Sequence, residues 1–279
     1  MTYQHIEIAP VAGALGAEIS GVDMATPLEG PVFDELHDAL MHHQVIFLRD
    51  QDITPAQHVA FAARFGHLQV HPFLPNLPDH PEVLILESSG ANRAAANAWH
   101  SDVTFNQEPP LGSVLLAREV PEHGGDTMWA NMYDAYDALS EPMKTYLGGM
   151  RAEHSTKAAR FGKFHKDKAS NENAEQDRQG VEPVVHPVIR THPVTGRKAL
   201  FVNSVFTNRL LGVSRQESRA ILDYLFEHLT RPEFCCRFRW QKNSVAFWDN
   251  RCTQHYAIAD YGDSHRLMHR VTIDGDRPV

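Results

Sequence analysis

Nothing in the 279 residues approaches the run of roughly 18 apolar positions that a membrane-spanning helix needs. Cysteine is scarce, three in all, with Cys235 and Cys236 adjacent. That is neither a disulfide framework nor a CxxC metal clip, and it suits a reducing cytoplasm. Cations are in the minority: 26 Lys and Arg against 35 Asp and Glu leave a net charge of −9. Nucleic acid and anionic membrane are thus poor partners, and an anionic substrate would need a few local cations to capture it. The first eight residues lack the basic and apolar regions of a secretion signal, and neither a repeat nor a low-complexity tract is visible. What the chain has in quantity is histidine, 18 residues. Because imidazole binds metals and titrates near neutrality, the question is which of them do chemistry.

Two helices are well marked. Thr54-Pro55 supplies an N-cap and first turn, with Gly66 as the stop. Ser214 with Glu217 forms a capping box ahead of Ile221, Leu222, Leu225, Phe226 and Leu229 at helical spacing. Weaker patterns predict helices over about 31–43 and near 132–148. Short apolar runs at Val45–Leu48, Val83–Leu86, Val114–Ala117 and Val245–Trp248 read as strands, as does the alternation from Phe234 to Trp240. A turn at Pro193–Gly196 is expected to join 184–190 to 198–203. Many short strands with a few helices predict a mainly β domain with flanking helices, a sandwich or jelly roll, without an interdomain linker. The proline-spaced segment 67–81 and the polar segment 156–182 are expected to cover a site.

A metal site needs convergent ligands. Two histidines and one carboxylate can hold Fe(II) on one face and leave the other open. On a strand, His-x-Asp would aim two of the three the same way. The motif occurs twice, at His100-Ser101-Asp102 and His165-Lys166-Asp167, with His5-Ile6-Glu7 as a variant. Lysines 163, 166 and 168 would repel a cation from the second, and the variant lies near a terminus. The first has apolar flanks in Trp99, Val103 and Phe105, which argue for a walled pocket. His255, just past the Val245–Trp248 run, can supply the third ligand. Arg266, Met268 and Arg270 would share one strand face. Two inward arginines are costly unless anions meet them.

Several segments together resemble the Fe(II)/2-oxoglutarate dioxygenases of the taurine dioxygenase type, over nearly the whole chain. They are 16–21, 43–51, Trp-His-Ser-Asp-Val-Thr-Phe at 99–105, Gly-Gly-Asp-Thr at 124–127, 190–197, 199–203, Trp-Asp-Asn-Arg-Cys-Thr-Gln-His-Tyr at 248–256 and 266–270. The resemblance implies a double-stranded β-helix, the jelly roll, as a single dioxygenase domain over 1–279. It implies His100, Asp102 and His255 as ligands of Fe(II), with 2-oxoglutarate and O2 as cosubstrates. Thr127 and Arg266 would hold the far carboxylate of 2-oxoglutarate. His71, Arg270 and the backbone amide of Val103 would bind a sulfonate, and Phe206 would pack its carbon chain. A cytoplasmic homo-oligomer is implied as well. The chain departs from the family at Leu74, where a tyrosine is expected, and at Ala96, where an asparagine is expected. Both changes make the amine end of a taurine site more apolar.

The activity so implied is hydroxylation of the carbon next to a sulfonate, taurine or a related alkanesulfonate, with release of sulfite and an aldehyde beside succinate and CO2. An alkylsulfate or other small acid is the alternative substrate within that class. A jelly-roll protein that senses an anion beside a metal without turning it over is the rival of another class. Arg266 separates the two, because a sensor needs no second carboxylate site beside its metal.

Overall fold

The run Val-Ile-Phe-Leu at 45–48 is buried at every position, because helices cover one face of its sheet and a second sheet covers the other. Both faces being apolar, the strand reads as an unbroken hydrophobic run instead of an alternating one. Val45 and Phe47 face the second sheet; Ile46 and Leu48 face the helices.

The computed structural model describes residues 3–71, 74–89, 97–156 and 182–279. In chain order the strands are β1 (Glu7–Pro10), β2 (Ala17–Ser20), β3 (Val45–Leu48), β4 (Asn76–Leu77), β5 (His80–Ser88), β6 (Gly112–Glu119), β7 (Thr127–Asn131) and β8 (Arg151–His154). There follow β9 (Val184–Pro187), β10 (Ile189–Thr191), β11 (Lys198–Leu200), β12 (Thr207–Leu210), β13 (Cys235–Phe238), β14 (Val245–Asp249), β15 (Thr253–Ala257) and β16 (Arg266–Ile273). The helices are α1 (Gly30–His43), α2 (Pro55–Ala62), α3 (Met132–Asp137), α4 (Glu141–Leu147) and α5 (Arg215–His228).

An eight-stranded sheet runs β1-β2-β3-β14-β6-β16-β5-β4. All its pairings are antiparallel except β2 with β3. A three-stranded sheet, β13-β7-β15, lies against it. Between them pack Phe47, Trp129, Phe238, Trp240, Trp248 and Met268, with Phe47 stacked on Phe238 at 4.0 Å between ring centroids. On the outer face, Leu36 and Leu40 of α1 and Phe61 of α2 cover Ile46, Val114 and Phe247. This is the jelly roll. It places β7, β15 and β16 around one site.

The capped helices start where their signals stand, although α2 ends at Ala62, short of the Gly66 expected to stop it. Thr54 and Gln57 close a capping box on α2, and Ser214 and Glu217 close another on α5. Three expectations need correction. The helix near 132–148 is two: Asn131 caps α3, and Ser140 followed by Pro142 starts α4 afresh. The turn at 193–196 joins only β10 to β11; β9 pairs with β8 instead, since the chain breaks at Val188, whose amide goes to Met150. Segment 67–81 is not loop throughout, because Asn76–Leu77 already pairs back onto β5. Pro72, Phe73, Ala96 and 157–181, including His165-Lys166-Asp167 and nearly all of the 156–182 segment, lie outside the described residues.

Candidate active site

His255 sits mid-strand on β15, opposite Trp129 of β7. His100 forms a lone antiparallel bridge to it. After that bridge the chain turns over Asp102–Phe105, so His100 and Asp102 do not converge through strand periodicity as expected. The turn does it. Val103 is left-handed at φ 53. Asn250, in the β14–β15 turn, accepts from the Asp102 amide at 2.7 Å and donates to the Asp102 carbonyl at 3.0 Å. Ser101 Oγ donates to the Thr253 carbonyl at 2.7 Å.

The result is three buried side chains whose ligand atoms lie within 4.8 Å of one another. Asp102 Oδ1 is 3.7 Å from His100 Nε2 and 3.8 Å from His255 Nε2. The Nδ1 of His100 is 2.8 Å from the Ala98 carbonyl; that bond places the proton on Nδ1 and leaves the Nε2 lone pair facing Asp102. Burial lowers both imidazoles, His255 to about 3, which keeps them neutral near pH 7. Burial alone would raise the Asp102 carboxyl, but Arg270, His255 and His100 outweigh it and hold it at about 2. Two neutral imidazoles and one ionised carboxylate on one side of an open space fit Fe(II).

A second buried group, His192, Asp249 and Cys252, also clusters, but its charge is already spent. Arg251 grips Asp249 with Nε at 2.9 Å and Nη2 at 2.7 Å, and His192 Nε2 lies 3.0 Å away. His5 and Glu7 are not brought to either group: the His5 amide bonds Glu35, and Glu7 is exposed on β1.

Arg266 opens β16 and is buried. Among the described residues no carboxylate pairs with it, and its Nε has no partner. Burial lowers its pKa, yet a guanidinium stays charged, so an anion is the missing partner. It passes beside Gly125, where a Cβ would stand 3.5 Å from its Nε. Two residues on, Thr127 Oγ1 accepts from the Trp240 indole at 2.9 Å. That leaves its own hydroxyl proton free to donate.

Arg270 Nη1 lies 3.2 Å from Asp102 Oδ1. It lines a small cavity with Gln69, His71, Glu82, Leu84, Val103 and Thr272. Three of the expected substrate residues, His71, Val103 and Arg270, therefore meet there. Phe206 is buried outside that lining, 6.3 Å from the His100 ring and 5.1 Å from Phe105 between centroids. Leu74 does not join the lining: the residue is 38% exposed, while its amide donates to His71 Nδ1 at 3.1 Å. Sequence reasoning missed Glu82 and Gln69, and it gave no role to Asn250. The only signal for Asn250 was its place inside the Trp-Asp-Asn-Arg segment.

A family model described as taurine catabolism dioxygenase TauD, TfdA family, matches residues 7–272. The chain belongs to this family. It is 37% identical to an alpha-ketoglutarate-dependent sulfate ester dioxygenase of Pseudomonas putida, over 99% of this chain and 91% of that protein. Among solved structures, it resembles a taurine dioxygenase from Burkholderia xenovorans at 36% identity and TM-score 0.85, covering 99% of this chain and 93% of the other. It also resembles AAD-2 in complex with Mn(II) and N-oxalylglycine at 31% identity and TM-score 0.82, covering 100% and 99%. The protein is a 2-oxoglutarate-dependent dioxygenase, and its cosubstrates and metal are 2-oxoglutarate, O2 and Fe(II).

Proposed function

We propose that this enzyme hydroxylates the carbon bearing a sulfur oxyanion, foremost a small alkanesulfonate. The observation that carries the reading is the meeting of His71, Val103 and Arg270 around one cavity, with Arg270 reaching the Asp102 carboxylate. His100, Asp102 and His255 hold Fe(II), which supplies the redox chemistry coupling O2 reduction and 2-oxoglutarate decarboxylation to C–H hydroxylation. Arg266 and Thr127 fix the far carboxylate of 2-oxoglutarate: the fork meets it bidentately and the hydroxyl adds a third donor. Arg270, His71 and the Val103 amide bind the oxyanion of the substrate, and Phe206 excludes water from its carbon chain and aims it.

One oxygen atom of O2 goes to the substrate carbon and the other to succinate. The hydroxysulfonate then loses its hydroxyl proton and breaks its C–S bond, giving an aldehyde and sulfite. An alkyl sulfate is the second reading, favoured by the 37% identity to a sulfate ester dioxygenase. Hydroxylated at the carbon next to oxygen, it collapses to an aldehyde and sulfate. The whole chain serves as one domain for this chemistry, with Gln69 and His71 of the 67–81 segment on the cavity wall.

The test is 2-oxoglutarate turnover against a panel of alkanesulfonates and alkyl sulfates, with succinate, sulfite and sulfate measured together. Sulfite equal to succinate supports the first reading, and sulfate equal to succinate supports the second. Succinate formed with neither anion refutes both.

A further inference from the structure

Val103 carries a β-branched side chain at φ 53, a region such residues avoid and keep only where their surroundings over-determine it. Both flanks of Val103 are clamped by buried polar groups from distant parts of the chain. On the Asp102 side, the Asn250 amide takes both backbone groups, at 2.7 and 3.0 Å. On the other side, Asn203 Nδ2 donates to Thr104 Oγ1 at 3.0 Å, and His186 Nε2 holds the Thr104 carbonyl at 3.0 Å. Asn203 reaches further: its Oδ1 accepts the amides of Val205 and Phe206 at 3.1 and 2.8 Å. One amide side chain thus ties the turn that carries Val103 to the segment that carries the Phe206 ring.

We infer that Asn203 is a positioning residue for the substrate anion: together with Asn250 it imposes the left-handed backbone at Val103, and it fixes the backbone that carries the Phe206 ring against Phe105. This rests on the reading that the Val103 amide and Phe206 contact the substrate. Asn250 also fixes the metal-binding Asp102, whereas Asn203 touches neither Asp102 nor Arg266, so its removal acts on the substrate side alone.

The experiment is a double-mutant cycle between Asn203→Ala and Val103→Gly. Glycine takes positive φ at no steric cost, so it needs no clamp. Asn203→Ala is expected to raise KM for the sulfur substrate by about tenfold or more. KM for 2-oxoglutarate and the Mn(II) dissociation constant should stay within about twofold. In the Val103→Gly background the Asn203→Ala penalty should shrink to about threefold or less. An undiminished penalty in that background overturns the inference, and so does an unchanged KM in Asn203→Ala.

Because Asn203→Ala leaves buried amides unpaired, Thr104→Val serves as a second variant with the same expectation, and retained Mn(II) binding reports that each variant is folded. A crystal structure of Asn203→Ala decides independently of any substrate. Residue 103 leaving the left-handed region supports the inference, and its staying there overturns it. If the unmutated enzyme turns over no sulfonate or alkyl sulfate, the functional reading fails, while this backbone readout still judges the inference.

Discussion

His100 and His255 exchange both backbone hydrogen bonds, at 3.1 and 2.8 Å, and their imidazole rings stand 4.2 Å apart between centroids. A single two-residue ladder therefore brings together ligands 155 positions apart in the chain. Backbone pairing thus places the two imidazoles, while the turn clamped by Asn250 places Asp102. Replacing any one of His100, Asp102 or His255 by Ala should abolish turnover and weaken Mn(II) binding, measured by equilibrium dialysis. His5→Ala should leave both unchanged, since His5 is exposed and remote from the group. Mn(II) binding at wild-type affinity in Asp102→Ala would remove Asp102 from the ligand set.

On the proposed reading, Arg266 and Arg270 divide the anions between them. Removing one partner of a buried charge pair costs about 3–5 kcal/mol. Arg266→Ala should accordingly raise KM for 2-oxoglutarate by about a hundredfold or more, with a much smaller effect on the sulfur substrate. Arg270→Ala should do the reverse. Steady-state titration of each substrate against both variants checks it, and equal effects on both substrates would contradict the division. Thr127→Val should follow Arg266 at about tenfold, the cost of a hydrogen bond to a charged group.

Much of this arrangement was legible because its signals are local. The capping boxes at Thr54 and Ser214 and the apolar run at 45–48 each fold as their own residues dictate. The candidate ligands were legible from chemistry, but the expected route to convergence was wrong: Asp102 is aimed by a turn that Asn250 clamps from 148 residues away. No local pattern announces such a contact. The same holds for Asn203 and Thr104, and for Glu82, which reads as an ordinary polar strand position until β5 pairs with β16. Helices α3 and α4 read as one because the signal at Ser140 is weaker than the apolar pattern across it.

Acid should destabilise the metal-free protein well above the carboxylate range. Burial lowers His58 to about 4 and His154 to about 3. Below the ordinary value of 6.5 the unfolded chain takes up protons that these folded residues refuse. Stability is therefore full above 6.5 and lost as pH falls toward the folded values. Each such histidine contributes on the order of 2 kcal/mol between pH 7 and pH 5. Urea unfolding of the EDTA-treated protein at pH 7, 6 and 5 should show falling stability, and His58→Gln should flatten the slope. Stability that is level or rising toward pH 5 would reject the assignment.

The tail of the substrate should be read by Glu82 more than by Leu74. Leu84 lies opposite Arg270 in the β5–β16 pairing, and Glu82 is two residues before it on the same strand face. Both line the cavity, whereas Leu74 is exposed. The sequence alone points the other way: leucine in place of the expected tyrosine argues for an apolar tail pocket and an uncharged alkanesulfonate. A carboxylate in the lining supplies a partner for an ammonium group that a leucine cannot. Glu82 is half-buried, so solvent screens it and the effect is small, about 0.2–1 kcal/mol. Glu82→Gln should lower kcat/KM for taurine relative to propanesulfonate by about two- to fivefold. Leu74→Tyr should leave the ratio of the two substrates unchanged. The measurement is competitive turnover of the pair, with both aldehydes quantified. A ratio that moves with Leu74→Tyr and not with Glu82→Gln would return the tail contact to position 74.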